Sequence, residues 1–209
     1  MTRLADIQAE QIAKAEIKAS LLGRKCWYAY AGFGNTPRIV LGRKLPRGPE
    51  ELAVQARLAA RRAARGVKTP KEDALTRTWK RSRGDSELLI WCSWRLDDAN
   101  GPATSSDDNP ERCEAAIRQL IGHTVRAVDI AGLWDLRIVF NGGFVLSALP
   151  DHVGPEASFD GNWEVWRPEQ AYLIGTDLTC KVIDPENRPM QLAPRRGRWK
   201  VASGPKSSK

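Results

Sequence analysis

Two groups of residues in this 209-residue chain have the types and spacing to do chemistry. The first is cationic. Arg57, Arg61 and Arg65 recur at every fourth position, Arg62 and Lys68 stand beside them, and Trp79, Lys80 and Arg81 follow. A helical face of guanidiniums next to an aromatic in a basic run is suited to tracking phosphates and stacking a base. The competing reading of the same residues is a solvated basic surface. The second group is aromatic: Trp91-Cys92-Ser93-Trp94-Arg95 and Trp163-Glu164-Val165-Trp166-Arg167 both spell W-x-x-W-R. Tryptophan and arginine dominate binding hot spots, so Trp91, Arg95, Trp163 and Arg167 are candidate partner-binding residues. Strand alternation sorts the first motif. Ile90, Cys92, Trp94 and Leu96 form one apolar face, leaving Trp91, Ser93 and Arg95 on the other. In the second, Trp163 and Val165 are the expected buried set.

Little in the chain suggests catalysis. The two histidines, His123 and His152, lack a partner at useful spacing, and no nucleophile elbow, P-loop, zincin or dinucleotide motif occurs. The four cysteines, Cys26, Cys92, Cys113 and Cys180, are scattered without CxxC spacing, as expected of reduced, buried thiols rather than zinc ligands. The doubled aspartates of residues 97–108 lack calcium-loop spacing. No cofactor and no metal site is expected. Asp129, Asp135 and Glu164 are the carboxylates on which a metal-dependent hydrolase or nuclease would rest, and that is the third functional reading.

The net charge of +8 is unevenly laid out. Residues 57–83 hold ten bases against two acids, and residues 194–209 hold six bases and no acid. The remainder is mildly acidic, with acids concentrated in residues 97–108 and 151–160. The start of the chain is charged throughout, and no apolar run approaches a membrane span, so a soluble cytoplasmic protein without a membrane partner is expected.

The elements that must position these residues follow from pattern. A helix is predicted from about Thr2 to Leu22, stopped by Gly23, then strands at 24–34 and 37–42. Pro49, Glu50 and Glu51 open a second helix that closes at Gly66. Residues 76–96 read as a hairpin around Arg83-Gly84-Asp85, and residues 97–111 as a polar loop. Asn109 caps a helix beginning at Pro110. Residues 135–148 form a hairpin about Asn141-Gly142, and strands are predicted near 162–167, 170–175 and 178–184. The tail from Pro194 is expected to be disordered.

Residues 21–42 and 120–141 align without a gap at an offset of 99, matching Gly23 with Gly122 and Arg38-Ile39-Val40 with Arg137-Ile138-Val139. The expected fold class is therefore α+β, built from two related helix-plus-antiparallel-sheet halves, 1–108 and 109–193. A basic helical insertion, 43–83, lies in the first half, and a basic tail, 194–209, ends the chain. The runs LIGHTVRAVDI, DLRIVFNGG and NWEVWRPEQ, about a third of the chain, resemble small uncharacterised bacterial β-rich proteins, some of them immunity- or defence-associated. That resemblance implies a non-enzymatic role in binding a protein partner and carries over no functional residue. Nucleic-acid binding through residues 57–83 is the alternative.

Overall fold

A computed structural model describes residues 4–64, 73–151 and 161–184. The basic tail, Arg65 and Lys68 lie outside the described residues. The fold is mixed α+β with antiparallel sheets and few helices. Among the described residues, no helix is long and apolar enough to cross a membrane.

Chain order is α1 (Leu4–Leu21), β1 (Cys26–Ala31), β2 (Pro37–Leu41), β3 (Leu45–Pro46), α2 (Pro49–Ala64) and α3 (Ala74–Arg81). Then come β4 (Ser82–Arg83), β5 (Ser86–Ile90), β6 (Ser93–Asp98), β7 (Gly101–Ser105) and α4 (Pro110–Arg118). The chain continues with β8 (Val125–Ala131), β9 (Asp135–Phe140), β10 (Val145–Leu149), β11 (Trp163–Trp166), β12 (Ala171–Ile174) and β13 (Cys180–Ile183). Asn109 caps α4, its side chain accepting from Arg112 N at 2.8 Å with Pro110 in the first turn, as the sequence predicts.

The second arm of the hairpin expected over 76–96 divides into β5 and β6, and two further elements differ from expectation. Residues 74–81, read as the first arm of a hairpin, form α3, because Asp73 Oδ1 accepts from Thr76 N at 2.7 Å and starts a helix there. Residues 101–105, read as polar loop, form β7, hydrogen-bonded to β6. Strand propensity in Gly-Pro-Ala-Thr-Ser is weak, and pairing with a buried neighbour overrides it.

One sheet runs β1-β2-β5-β11-β12-β13 and the other β7-β6-β10-β9-β8. Each takes strands from both sides of residue 108. The chain crosses between them at Trp91-Cys92: β5 belongs to the first sheet, β6 to the second, and both intervening amides donate to Asn162 O, at 2.8 and 3.0 Å. Strands that switch sheets form the corners of such packings. One apolar core is shared by the inner faces of both sheets, α1 and α4, with Ile17, Leu21, Ile39, Ile90, Leu96, Ile117, Ile138 and Trp163 all shielded from solvent.

The sheets are also joined where β1 and β8 begin, through an antiparallel bridge between Lys25 and Thr124. The bonds around it come in pairs related by the offset of the sequence alignment. Gly23 N donates to Val125 O at 3.0 Å, and Gly122 N to Cys26 O at 2.8 Å. Cys26 N donates to His123 O at 2.8 Å, and Val125 N to Arg24 O at 3.0 Å. Gly42 N reaches Lys25 O and Asn141 N reaches Thr124 O, both at 2.9 Å. Register shifts fall at Cys26/Tyr28 in β1 and at Val125/Ala127 in β8.

Candidate functional sites

The basic segment is a docked appendage. A second, smaller apolar cluster on the outer face of the first sheet joins Trp27, Tyr28 and Val40 to Leu75 and Trp79 of α3. Trp79 stacks on Tyr28 with centroids 5.3 Å apart and planes 9° from parallel. The Arg38 and Arg47 guanidiniums lie 5.0 and 5.6 Å from its ring centre. Those arginines are themselves anchored on the nearly buried Glu87: Arg38 Nη1 at 2.5 Å and Arg47 Nη2 at 3.9 Å from its carboxylate. Asp73, at the start of α3, pairs with Arg118 of α4. The Arg118 bond and the Thr76 amide hold the Asp73 carboxyl well below the usual range. Trp79, proposed from sequence to stack a base, thus has its ring committed to packing.

α2 touches α3 and keeps one face to solvent. Arg57 and Arg61 are exposed and form no ion pair among the described residues, and Leu52 is 41% exposed. Of the two acids in its first turn, Glu50 is exposed, while Glu51 is engaged by Arg47 at 3.2 Å and accepts from Gly48 N at 3.0 Å. Arg62 sits on α2, Lys80 on α3 is half-buried, and Arg81 is exposed. The arginine repeat therefore predicts an exposed cationic helix correctly over the described residues, while the aromatic of the same run belongs to the scaffold.

The W-x-x-W-R residues separate. Trp94 and Trp163 are core residues, 3% and 0% exposed. Their indole N–H groups make matching bonds, Trp94 to Asn35 O at 2.7 Å and Trp163 to Trp134 O at 2.9 Å, each to the turn joining two strands of the opposite sheet. Both acceptor residues have positive φ, 57° and 75°. Of the four proposed anchors, Trp163 has no surface to offer. Trp91 is half-buried, Arg95 is exposed and bonded to Asp97 Oδ2 at 3.0 Å, and Arg167 faces Glu169 at 3.8 Å. Glu164, 2% exposed, accepts from the indoles of both Trp91 (3.1 Å) and Trp166. Trp166 lies two residues along the same strand, but Trp91 comes from between β5 and β6, 73 residues away, which sequence spacing could not reveal.

At the sheet corner lies a cleft of about 170 Å³, lined by Gly34, Asn35, Ile90 to Trp94, Ser106, Asp107 and Asp151. Asp151 accepts from Ser93 N at 3.2 Å and from the Ser93 hydroxyl. Burial, with the charges of Asp151 and Asp135 adding to it, pushes the Cys92 thiol up to about 12, so it stays protonated and unreactive at neutral pH. The sequence marks residues 97–108 and 151–160 as acidic; only the fold brings Asp107 and Asp151 to one opening. Among the described residues, no three His, Cys, Asp or Glu side chains are grouped to hold a metal ion. Asp129 and Asp135, weighed with Glu164 for a hydrolase, are exposed, whereas Glu164 is buried. Comparison with known proteins finds no matching family model, no matching curated protein and no matching solved structure.

Proposed function

We propose that this protein works by binding, and that its binding element is the cationic helix α2, held out from the β-scaffold by α3 and directed at the phosphates of a nucleic acid. The observation that carries the reading is the exposure of Arg57 and Arg61 one turn apart, with Glu51, one of the two acids in the first turn of their helix, already engaged by Arg47. A guanidinium presents several donors in a plane and is weakly hydrated, which suits phosphate contact without base specificity. Arg62, Arg65 and Lys68 extend the same segment in sequence.

The test is fluorescence anisotropy with labelled oligothymidine over a salt series. Each phosphate contact on a single strand contributes about −0.7 to the slope of log K against log salt. Arg57→Gln with Arg61→Gln is expected to flatten the slope by about 1.4. A salt-independent affinity, or an unchanged slope in the double variant, refutes the reading.

A protein partner is the second reading. It is supported by the resemblance in the second half of the chain and by Trp91 and Arg95 reaching the surface at the sheet corner. We infer further that the chain is a duplication of one α-βββββ unit whose last two strands have exchanged sheets. The paired bonds around Lys25 and Thr124 support this, as do the strand orders β1-β2-β5-β11-β12 and β8-β9-β10-β6-β7, which run in parallel through the two copies. On this reading the matching tryptophans are Trp94 and Trp163, and the segment from β3 to β4 is the insertion that distinguishes the first copy.

A further inference from the structure

We propose that the outer face of the first sheet binds unpaired bases, which stack on Trp166 and Trp91, so that the partner of α2 is a single strand. The proposal rests on the nucleic-acid reading of α2 and adds a base-binding surface to it.

Strand alternation fixes which residues share that face. Trp163 and Val165 of β11 point into the core, so Glu164 and Trp166 point outward, to the side on which α3 docks. The ladders continue the row. Trp166 stands opposite Glu87, and Val40 and Tyr28, against which α3 packs, follow on β2 and β1. Trp91 reaches the same face from the bend between β5 and β6, because its indole N–H donates to Glu164 Oε1 at 3.1 Å.

Three observations point to bases. The first is how the rings are held. Trp91 and Trp166 donate to the two oxygens of one carboxylate that is 2% exposed, while both tryptophans are half-buried. With the N–H engaged beneath, ring surface is what each can offer a ligand, and a side chain already fixed loses little entropy on binding. The second is charge. The acids of this face among the described strands, Glu87 and Glu164, are 9% and 2% exposed, and Glu87 holds Arg38 and Arg47 beside Trp166. Such surroundings repel an amine and attract a phosphate-linked base. The third is continuity with α2. Arg47 joins Glu51 of α2 and Trp79 O of α3, at 3.2 and 3.3 Å, to Glu87 of the sheet. A strand whose phosphates meet Arg57 and Arg61 therefore lies on the side of the sheet that carries the two rings. A duplex keeps its base faces in its own stack, so the rings select unpaired bases.

The experiment uses the full chain with labelled oligothymidine, an abasic strand of equal length and polyglutamate, by anisotropy over a salt series and by ¹⁵N spectra of the indole N–H groups. Oligothymidine is expected to bind about tenfold tighter than the abasic strand at the same salt slope. Only oligothymidine should shift the Trp91 and Trp166 indole signals. Trp91→Leu should lose most of that advantage, whereas Trp91→Phe, which keeps a ring but not the N–H bond, should retain it. If Trp91→Leu fails to fold, the abasic comparison and the indole shifts decide. Equal affinity for the two strands, with the salt slope intact, overturns base stacking and leaves the reading of α2 standing. A flat slope on both strands removes that reading and the proposal with it. Equal losses in the Leu and Phe variants assign Trp91 to supporting Glu164, and indole shifts from polyglutamate assign the face to an acidic protein; either result overturns the proposal.

Discussion

Replacing Trp79 with alanine should release α2 and α3 from the sheet while leaving the β-core folded. Removing a large aromatic from a core costs roughly 3–5 kcal/mol. Trp79 is only half-buried, so its loss falls toward the bottom of that range. That figure already includes its stack on Tyr28, about 1 kcal/mol, and the two guanidiniums over its ring, about 0.5–1 each. Against these, its indole N–H is buried without a partner among the described residues, and deleting it returns about 1 kcal/mol. The net is about 2–3 kcal/mol, carried by a cluster that shares no residue with the main core. Because every 1.4 kcal/mol is tenfold, hydrogen-exchange protection of the amides in 74–83 should fall roughly 30- to 150-fold. Amides of β9 and β10, in the middle of the second sheet, should keep theirs. Equal loss of protection in β9 and α3 would falsify the picture of a docked appendage, as would unchanged protection in α3.

Acid should weaken the join beneath β5. Burial disfavours ionisation of Asp85, but the Arg43 amide, its guanidinium and Arg24 at 2.8 Å outweigh it and hold the carboxyl below its usual range. A depressed folded value means the stabilisation is present above about pH 4, the unfolded value, and is lost as pH falls through the folded one. Thermal melts of Asp85→Asn should therefore start lower at pH 7 yet change less than wild type from pH 5 to pH 2; parallel profiles would reject this. Gly23 and Gly122, at φ +74° and +95° with open space where a Cβ would sit, should each cost about 1–2 kcal/mol when changed to alanine. Denaturant midpoints that differ grossly between the two variants would argue against the proposed duplication.

Much of the local structure is written in short-range signals. Asn109-Pro110 starts α4, Gly23 ends α1, and Asn141-Gly142 turns β9 into β10, because each requires only one residue's dihedral preference or cap. Ile90, Cys92, Trp94 and Leu96 alternate as read, and all are buried. The sequence misleads where tertiary pairing outweighs local preference: Gly101–Ser105 becomes a strand because β6 offers it a ladder, and Thr76–Arg81 becomes a helix because Asp73 caps it.

The sequence alone determined the charge layout, the exposed arginine face of α2, the antiparallel α+β character and the alternation that buries Trp94. Those properties depend on neighbours within a few positions. Tertiary structure decided that residues 88–98 are two strands in two sheets, bent at Trp91-Cys92 onto Asn162 O. It also decided that Trp79 packs on Tyr28, that Glu164 joins Trp91 to Trp166, and that Asp107 and Asp151 share one cleft. Each of these brings together groups far apart in the chain. Local propensity carries no information about such contacts; they form only when both sheets close over a common core.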